Sequence, residues 1–127
     1  MTTIREVMRA ELVTVEPSAS VTEAAHAMSI GRAGSVLVVL EGELLGIFTE
    51  RDILRALTGS SDADEGRVSS VARWMTEAPA TIGPDATVGE ALDVMLSGGF
   101  RHLPVMDGGS LVGMVSMRDL ARSIARK

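Results

Sequence analysis

The sequence predicts an α+β fold made of two copies of one β-α-β-β-α unit, related by a pseudo-two-fold axis with their sheets packed together. Three observations predict it. The chain matches itself without a gap at an offset of 67 residues: Met8 meets Met75, Thr14 meets Thr81, Pro17 meets Pro84, Gly46 meets Gly113 and Asp52 meets Asp119. In each copy a helix-capping signature precedes a run of helical period, and two short apolar runs flank a glycine-containing dipeptide. Apolar residues make up 46% of the 127 residues, enough for one core. One copy alone offers a small sheet, two helices and an incomplete core, so the two copies are expected to bury their sheets against each other.

Each copy opens on a short extended segment, Leu12 to Val15 and Ala80 to Ile82, that stops at Pro17 or Pro84. SVTE (Ser20 to Glu23) and TVGE (Thr87 to Glu90) then fit the capping box, in which a hydroxyl and a Glu satisfy the free N–H groups of a helix start. The helices that follow place Val21, Ala24, Ala25 and Met28, or Val88, Ala91, Leu92 and Met95, on one face. Gly31 and Gly98–Gly99 end them. Ser35 to Leu40 and His102 to Met106 read as strands, Glu41–Gly42 and Gly108–Gly109 as hairpin turns, and Leu44 to Phe48 and Leu111 to Val115 as return strands. A last helix starts at Glu50 or Met117. The copies are therefore placed at 1–57 and 71–127, with a polar linker over 58–70 that contains SSDADEG.

Composition excludes several functions. The net charge is −5 and the only lysine is Lys127, which argues against a basic face for nucleic acid or for an anionic membrane. Arg118, Arg122, Arg126 and Lys127 are the only candidates for a basic stripe. With no cysteine there is no disulfide, thiolate metal site or thiol nucleophile. No apolar run approaches a membrane span, and MTTIREVMRAE lacks the apolar stretch of a signal peptide. These features predict a cytoplasmic protein. Neither His26 nor His102 has a metal-ligand spacing around it, Ser116 has no evident base, and there is no phosphate-binding glycine loop with lysine. No metal site, no required cofactor and no catalysis are expected.

Three features recur in order in both halves or mark one of them. They are Thr-x-x-Pro (Thr14 to Pro17; Thr81 to Pro84), the RHLPV strand (Arg101 to Val105), and GIFTERD (Gly46 to Asp52) returning as GMVSMRD (Gly113 to Asp119). Together they resemble the cystathionine β-synthase (CBS) domain pair, or Bateman module, over nearly the whole chain. The resemblance implies a regulatory module that binds AMP, ADP, ATP, S-adenosylmethionine or an NAD-type ligand, although some members bind no known ligand. It also implies a homodimer that signals to a separate effector protein.

The junction residues suit that ligand. Asp52 and Asp119, each three residues after a hydroxyl, can accept both hydrogen bonds of a ribose cis-diol, since a carboxylate only accepts. Thr49 and Ser116, with the N–H groups of the first helical turn, can hold phosphate. The same Thr-x-x-Asp and Ser-x-x-Asp are also helix caps that need no ligand.

In the family, residues just before Leu-Pro-Val touch phosphate, which nominates Arg101 and His102; Arg brings a planar, permanently charged fork. Carried over residue by residue, one cleft between the repeats would combine Thr14, Ala19, Ala33 and Gly34 with Arg101, Met114, Ser116 and Asp119. The other would use Thr81, Ala86, Ile47, Thr49 and Asp52, with Phe100 and Arg101 in place of the small Ala33 and Gly34. The cleft ending in Asp119 is favoured, since it keeps small residues at one end and a cation at the other. The alternative function is a ligand-free structural or dimerisation module.

Overall fold

The computed structural model describes residues 1–126; Lys127, one of the four basic residues considered above, lies outside the described residues. In chain order the elements are α1 (Ile4–Val7), β1 (Thr14–Val15), α2 (Val21–Gly31), β2 (Ser35–Leu40), β3 (Glu43–Thr49), α3 (Glu50–Gly59), α4 (Ala63–Val68), α5 (Val71–Trp74), β4 (Thr76–Glu77), α6 (Val88–Gly98), β5 (His102–Asp107), β6 (Ser110–Ser116) and α7 (Met117–Ala125). The fold is mixed α+β with two sheets, and the expected β-α-β-β-α order is present as β1-α2-β2-β3-α3. In the second copy the leading strand is reduced to a single parallel bridge, Ile82 to Val105.

Local chemistry explains the element boundaries. Ser20 caps α2 by a reciprocal box: its hydroxyl accepts from Glu23 N–H at 3.0 Å and its own N–H donates to Glu23 Oε1 at 3.0 Å. Thr87 caps α6 by one half of that arrangement, its hydroxyl accepting from Glu90 N–H at 3.1 Å. Both helices end on a residue in the left-handed region, Arg32 and Gly99. The hairpin turns need positive φ at both central residues, and Glu41–Gly42 and Gly108–Gly109 have it. Each hairpin also carries an irregularity at the same register, between Val38 and Val39 and between Val105 and Met106.

The chain packs as two units that cross the sequence repeat. One is Val13–Pro79; the other joins Met1–Leu12 to the segment from Ala80 onward. In the Val13–Pro79 unit the sheet runs β1-β2-β3-β4, with β1 parallel to β2 and the remaining pairs antiparallel. Its core is Val21, Ala24, Met28, Val36, Val38, Phe48, Ala56 and Val71. The segment that leads into the second copy is anchored here: Val71 N–H donates to Ala19 O at 2.8 Å, and Thr76 pairs with Ile47.

The other unit repeats this with the N-terminal segment in the same role. Ile4 N–H donates to Ala86 O at 2.9 Å, and Arg9 pairs with Met114. Its core holds Ile4 with Val88, Ala91, Met95, Leu103, Val105, Val115 and Leu120. Ile4 and Val71 are both fully buried and occupy equivalent places at the offset of 67. The segment ahead of each copy thus completes the other copy's core.

Within 58–70, expected from its polarity to be linker, the chain forms α4. Asp62 caps it, accepting from Glu65 N–H at 2.7 Å, and Gly66 is buried against the Ala56 carbonyl of α3. Among the described residues no helix is long and apolar enough to cross a membrane.

Candidate functional site

The two strand–helix junctions begin from the same short sequence and the same cap. At the start of α7, Ser116 N–H donates to Asp119 Oδ2 at 2.8 Å, and Asp119 N–H donates to Ser116 Oγ at 3.1 Å. At the start of α3, Thr49 N–H donates to Asp52 Oδ2 at 2.9 Å, and the Thr49 hydroxyl reaches the same oxygen at 3.3 Å. In each Asp one oxygen is thus fixed by the backbone that precedes the helix. What the other oxygen does sets the chemistry.

Asp52 Oδ1 accepts from Arg55 Nη1 at 2.7 Å, and the Asp52 side chain is only 5% exposed. Asp119 is half-buried and forms no ion pair among the described residues. Its Oδ1 is therefore an acceptor held in place by its neighbour oxygen and not yet used. Ser116 Oγ, while accepting from Asp119 N–H, keeps its own hydrogen to donate. Of the N–H groups in the first turn of α7, Met117 N–H is taken by Arg101 O at 2.8 Å and Asp119 N–H by Ser116 Oγ. Two of the N–H groups at this helix start are therefore already bonded within the chain.

The predicted residues divide by unit. The unit that contains α7 brings Arg101, His102, Ser116 and Asp119 to one place. His102 pairs with Ser116 across β5 and β6, and the Arg101 carbonyl holds the first N–H of α7. The Arg101 side chain is exposed and forms no ion pair among the described residues. Met114 lies two residues before Ser116 on β6, with both its backbone groups bonded to Arg9, at 2.8 and 3.0 Å. Thr81 is exposed, and the Ala86 carbonyl is committed to Ile4. Phe100 lies against Gly98 of α6 in a shallow depression also lined by Asp93, Val94 and Ser97.

The Val13–Pro79 unit brings together Gly34, Thr49 and Asp52, since Gly34 O accepts from Glu50 N–H at 3.1 Å. Ile47 is buried on β3, two residues before Thr49. Ala33 donates its N–H to Met28 O at 2.9 Å as part of the end of α2. Thr14 is exposed on β1, and the Ala19 carbonyl is committed to Val71.

Two residues at this junction carried no functional signal in the sequence. Arg55 reads only as the repeat match of Arg122, and Trp74 as a packing residue that replaces Val7. In the structure Arg55 Nη1 also donates to Trp74 O at 3.1 Å, and its guanidinium lies 5.9 Å from the Trp74 ring centre. Arg73 lies 4.7 Å from the same ring. Trp74 Nε1 donates to Ser69 Oγ at 2.9 Å. The remaining candidates are surface features: His26 is exposed on α2. Among the described residues no group of three or more His, Asp or Glu side chains is arranged to hold a metal.

Comparison with known proteins follows these features closely. The CBS domain family model matches residues 4–59 and again 68–126. An uncharacterized 17.7 kDa protein of Acidianus ambivalens is 38% identical over 125 residues, covering 97% of this chain and 73% of that protein. The crystal structure of a CBS-domain containing protein from Agrobacterium tumefaciens superposes with a TM-score of 0.90 at 31% identity, covering 97% of this chain and 99% of the other. The CBS domain pair of protein MJ0100, solved in complex with 5′-methylthioadenosine and S-adenosylmethionine, gives a TM-score of 0.87 at 25% identity and covers 97% and 99%. With both matched segments accounting for nearly all of its length, the chain belongs to the CBS domain family and carries two such domains in tandem.

Proposed function

We propose that this chain is a regulatory module that binds an adenosyl ligand, in the class of AMP, ADP, ATP or S-adenosylmethionine, and passes its occupancy to a separate protein. Asp119 takes the ribose diol, Ser116, Arg101 and His102 take the phosphate or other 5′ substituent, and Met114 covers the base. The small residues Ala33, Gly34, Ala19 and Ala86, with Thr14, Thr81 and Ile47, shape the adenine environment. Thr49 and Asp52 form the equivalent set in the first copy. The module works as a homodimer in the cytoplasm and needs no cofactor of its own.

The observation that carries the reading is the half-used carboxylate of Asp119. Its Oδ2 is anchored on Ser116 N–H at 2.8 Å, so Oδ1 is presented in a fixed direction at little further entropic cost. The exposed Arg101 guanidinium, on the residue just before β5, supplies the positive charge an anionic ligand needs. Protein MJ0100, similar in fold, holds two compounds that share the adenosine ribose.

A thermal-shift panel of AMP, ADP, ATP, S-adenosylmethionine and 5′-methylthioadenosine tests the proposal. A ligand at 100 times its dissociation constant adds about 2.7 kcal/mol to stability. No shift with any of the five would reject it. A second reading, a ligand-free structural or dimerisation module, is favoured by one observation: both junctions are already satisfied as helix caps without a ligand. It predicts an unchanged melting curve throughout the panel.

A further inference from the structure

We infer that Arg55 is an internal occupant of the Asp52 carboxylate, so that the chain takes one adenosyl ligand, at Asp119, and keeps its second ribose acceptor closed. This rests on the reading of Asp119 as the ribose acceptor and extends it to the question of how many ligands bind.

Both aspartates fix Oδ2 on the backbone N–H of the preceding cap, at 2.9 Å for Asp52 and 2.8 Å for Asp119. Oδ1 is then the oxygen each has left for a diol. In Asp52 it is filled by Arg55 Nη1 at 2.7 Å, a charge-assisted bond that a neutral hydroxyl must displace. An i,i+3 ion pair on a helix surface is common and weak. If that were the whole account, Arg122 would pair with Asp119 in the same way, because it stands at the same spacing on the equivalent helix. It forms no such pair among the described residues.

The difference lies outside the shared motif. Residue 74 is Trp, and its register mate, residue 7, is Val. Trp74 gives Arg55 a second acceptor through its carbonyl at 3.1 Å and a ring face at 5.9 Å. The ring itself is tied by Nε1 to Ser69 Oγ at 2.9 Å, and Ser69 Oγ donates to Gly66 O at 2.6 Å. Arg55 is thus held over Asp52 from the side away from the carboxylate. Val7 offers Arg122 no ring, and the pair at Asp119 stays open. Trp74 sets which of two otherwise matching aspartates is available.

The test is ligand stoichiometry by isothermal titration with 5′-methylthioadenosine and with AMP, on the full chain and on Arg55→Met, each first shown to be folded by its melting curve. Wild type is expected to take one molecule per chain and Arg55→Met two, with Trp74→Val giving the same increase. Asp119→Asn in the Arg55→Met background should return the count to one. Two molecules per wild-type chain, or one molecule in both wild type and Arg55→Met, overturns the inference and leaves the proposed function standing. Binding of neither probe to either protein removes the proposed function itself, and the inference with it. Because Trp74 is the sole tryptophan, its emission reads the contact without any ligand. Arg55→Met should shift that emission and raise its quenching by acrylamide, and an unchanged spectrum also counts against the inference.

Discussion

The sulfur of Met8 lies 2.6 Å from the point where a Cβ on Gly113 would stand, and the carbonyl of Arg9 lies 2.9 Å from it. Met75 and Thr76 crowd Gly46 in the same way, with the Met75 sulfur and the Thr76 carbonyl both at 2.7 Å. A thioether can swing aside, but the carbonyls belong to residues paired with β6 or β3 and cannot. Gly113→Ala and Gly46→Ala are each expected to destabilise the fold by about 1–3 kcal/mol, as overpacking does. Urea denaturation would show this as a lowered midpoint, and an unchanged midpoint would mean that the arms ahead of each copy are not seated as described.

Ile4 supplies a second check on those arms. It is fully buried in the core with Val88, Leu103 and Val115 although it lies near the start of the chain. Ile4→Ala should cost about 2–5 kcal/mol, a large share of the roughly 5–15 kcal/mol that holds a domain folded. His26→Ala, on the exposed face of α2, should stay within about 0.5 kcal/mol. Thermal denaturation of the two variants beside wild type makes the comparison.

Asp119 separates ligand binding from capping. Asp119→Asn keeps an acceptor for Ser116 N–H but loses the charge that favours a diol. It is expected to lose the stabilisation of about 2.7 kcal/mol that a saturating adenosyl ligand adds, with little change in the ligand-free melting temperature. Asp119→Ala should in addition lose about 1 kcal/mol of stability without ligand, the usual worth of a cap. Differential scanning calorimetry with and without 5′-methylthioadenosine reads both effects.

Glu23 gives the pH prediction. Its carboxyl is held below the ordinary value of 4.5, first by the hydrogen bond from Ser20 N–H and then by the Ser20 hydroxyl. A carboxylate with a folded-state value below the unfolded one stabilises fully above the unfolded value and loses this as pH falls through the folded one. Wild type should therefore exceed Glu23→Ala in melting temperature near neutral pH, and the gap should narrow as pH drops below 4.5. A gap independent of pH would mean that the Ser20 box does not act through the charged form.

Much of this architecture can be read from local chemistry, because α2 and α6 announce themselves at both ends. Ser20 with Glu23, and Thr87 with Glu90, open them, and the left-handed Gly99 closes α6, while α2 runs through Gly31 to a left-handed Arg32. The hairpins are legible for the same reason, since Gly42 and Gly108–Gly109 permit the positive φ the turns require. The arms α1 and α5 are not legible: four residues show no period, and what fixes Ile4 and Val71 is a partner many residues away. α4 is hidden by its polarity, for ADEGRV looks solvated until Gly66 meets the Ala56 carbonyl.

At the candidate site, the motif around Asp52 and Asp119 is the same, and the sequence favours Asp119 only through the small residues and the cation of its cleft. The contact between Arg55 and Trp74 distinguishes them further, and it depends on packing between α3 and α5 that no spacing rule predicts.

The crossing of the arms also fixes an order of assembly during synthesis. The Val13–Pro79 unit is continuous, so it can close soon after its last residue leaves the ribosome. Ile4 is made ahead of that unit, yet the strands and helices that enclose it, Val88 to Leu120, are made after it. Until they arrive the leading segment waits with an apolar side chain in water. The half of the molecule that carries Asp119 is accordingly the later one to form, and the earlier half carries the aspartate that Arg55 already occupies.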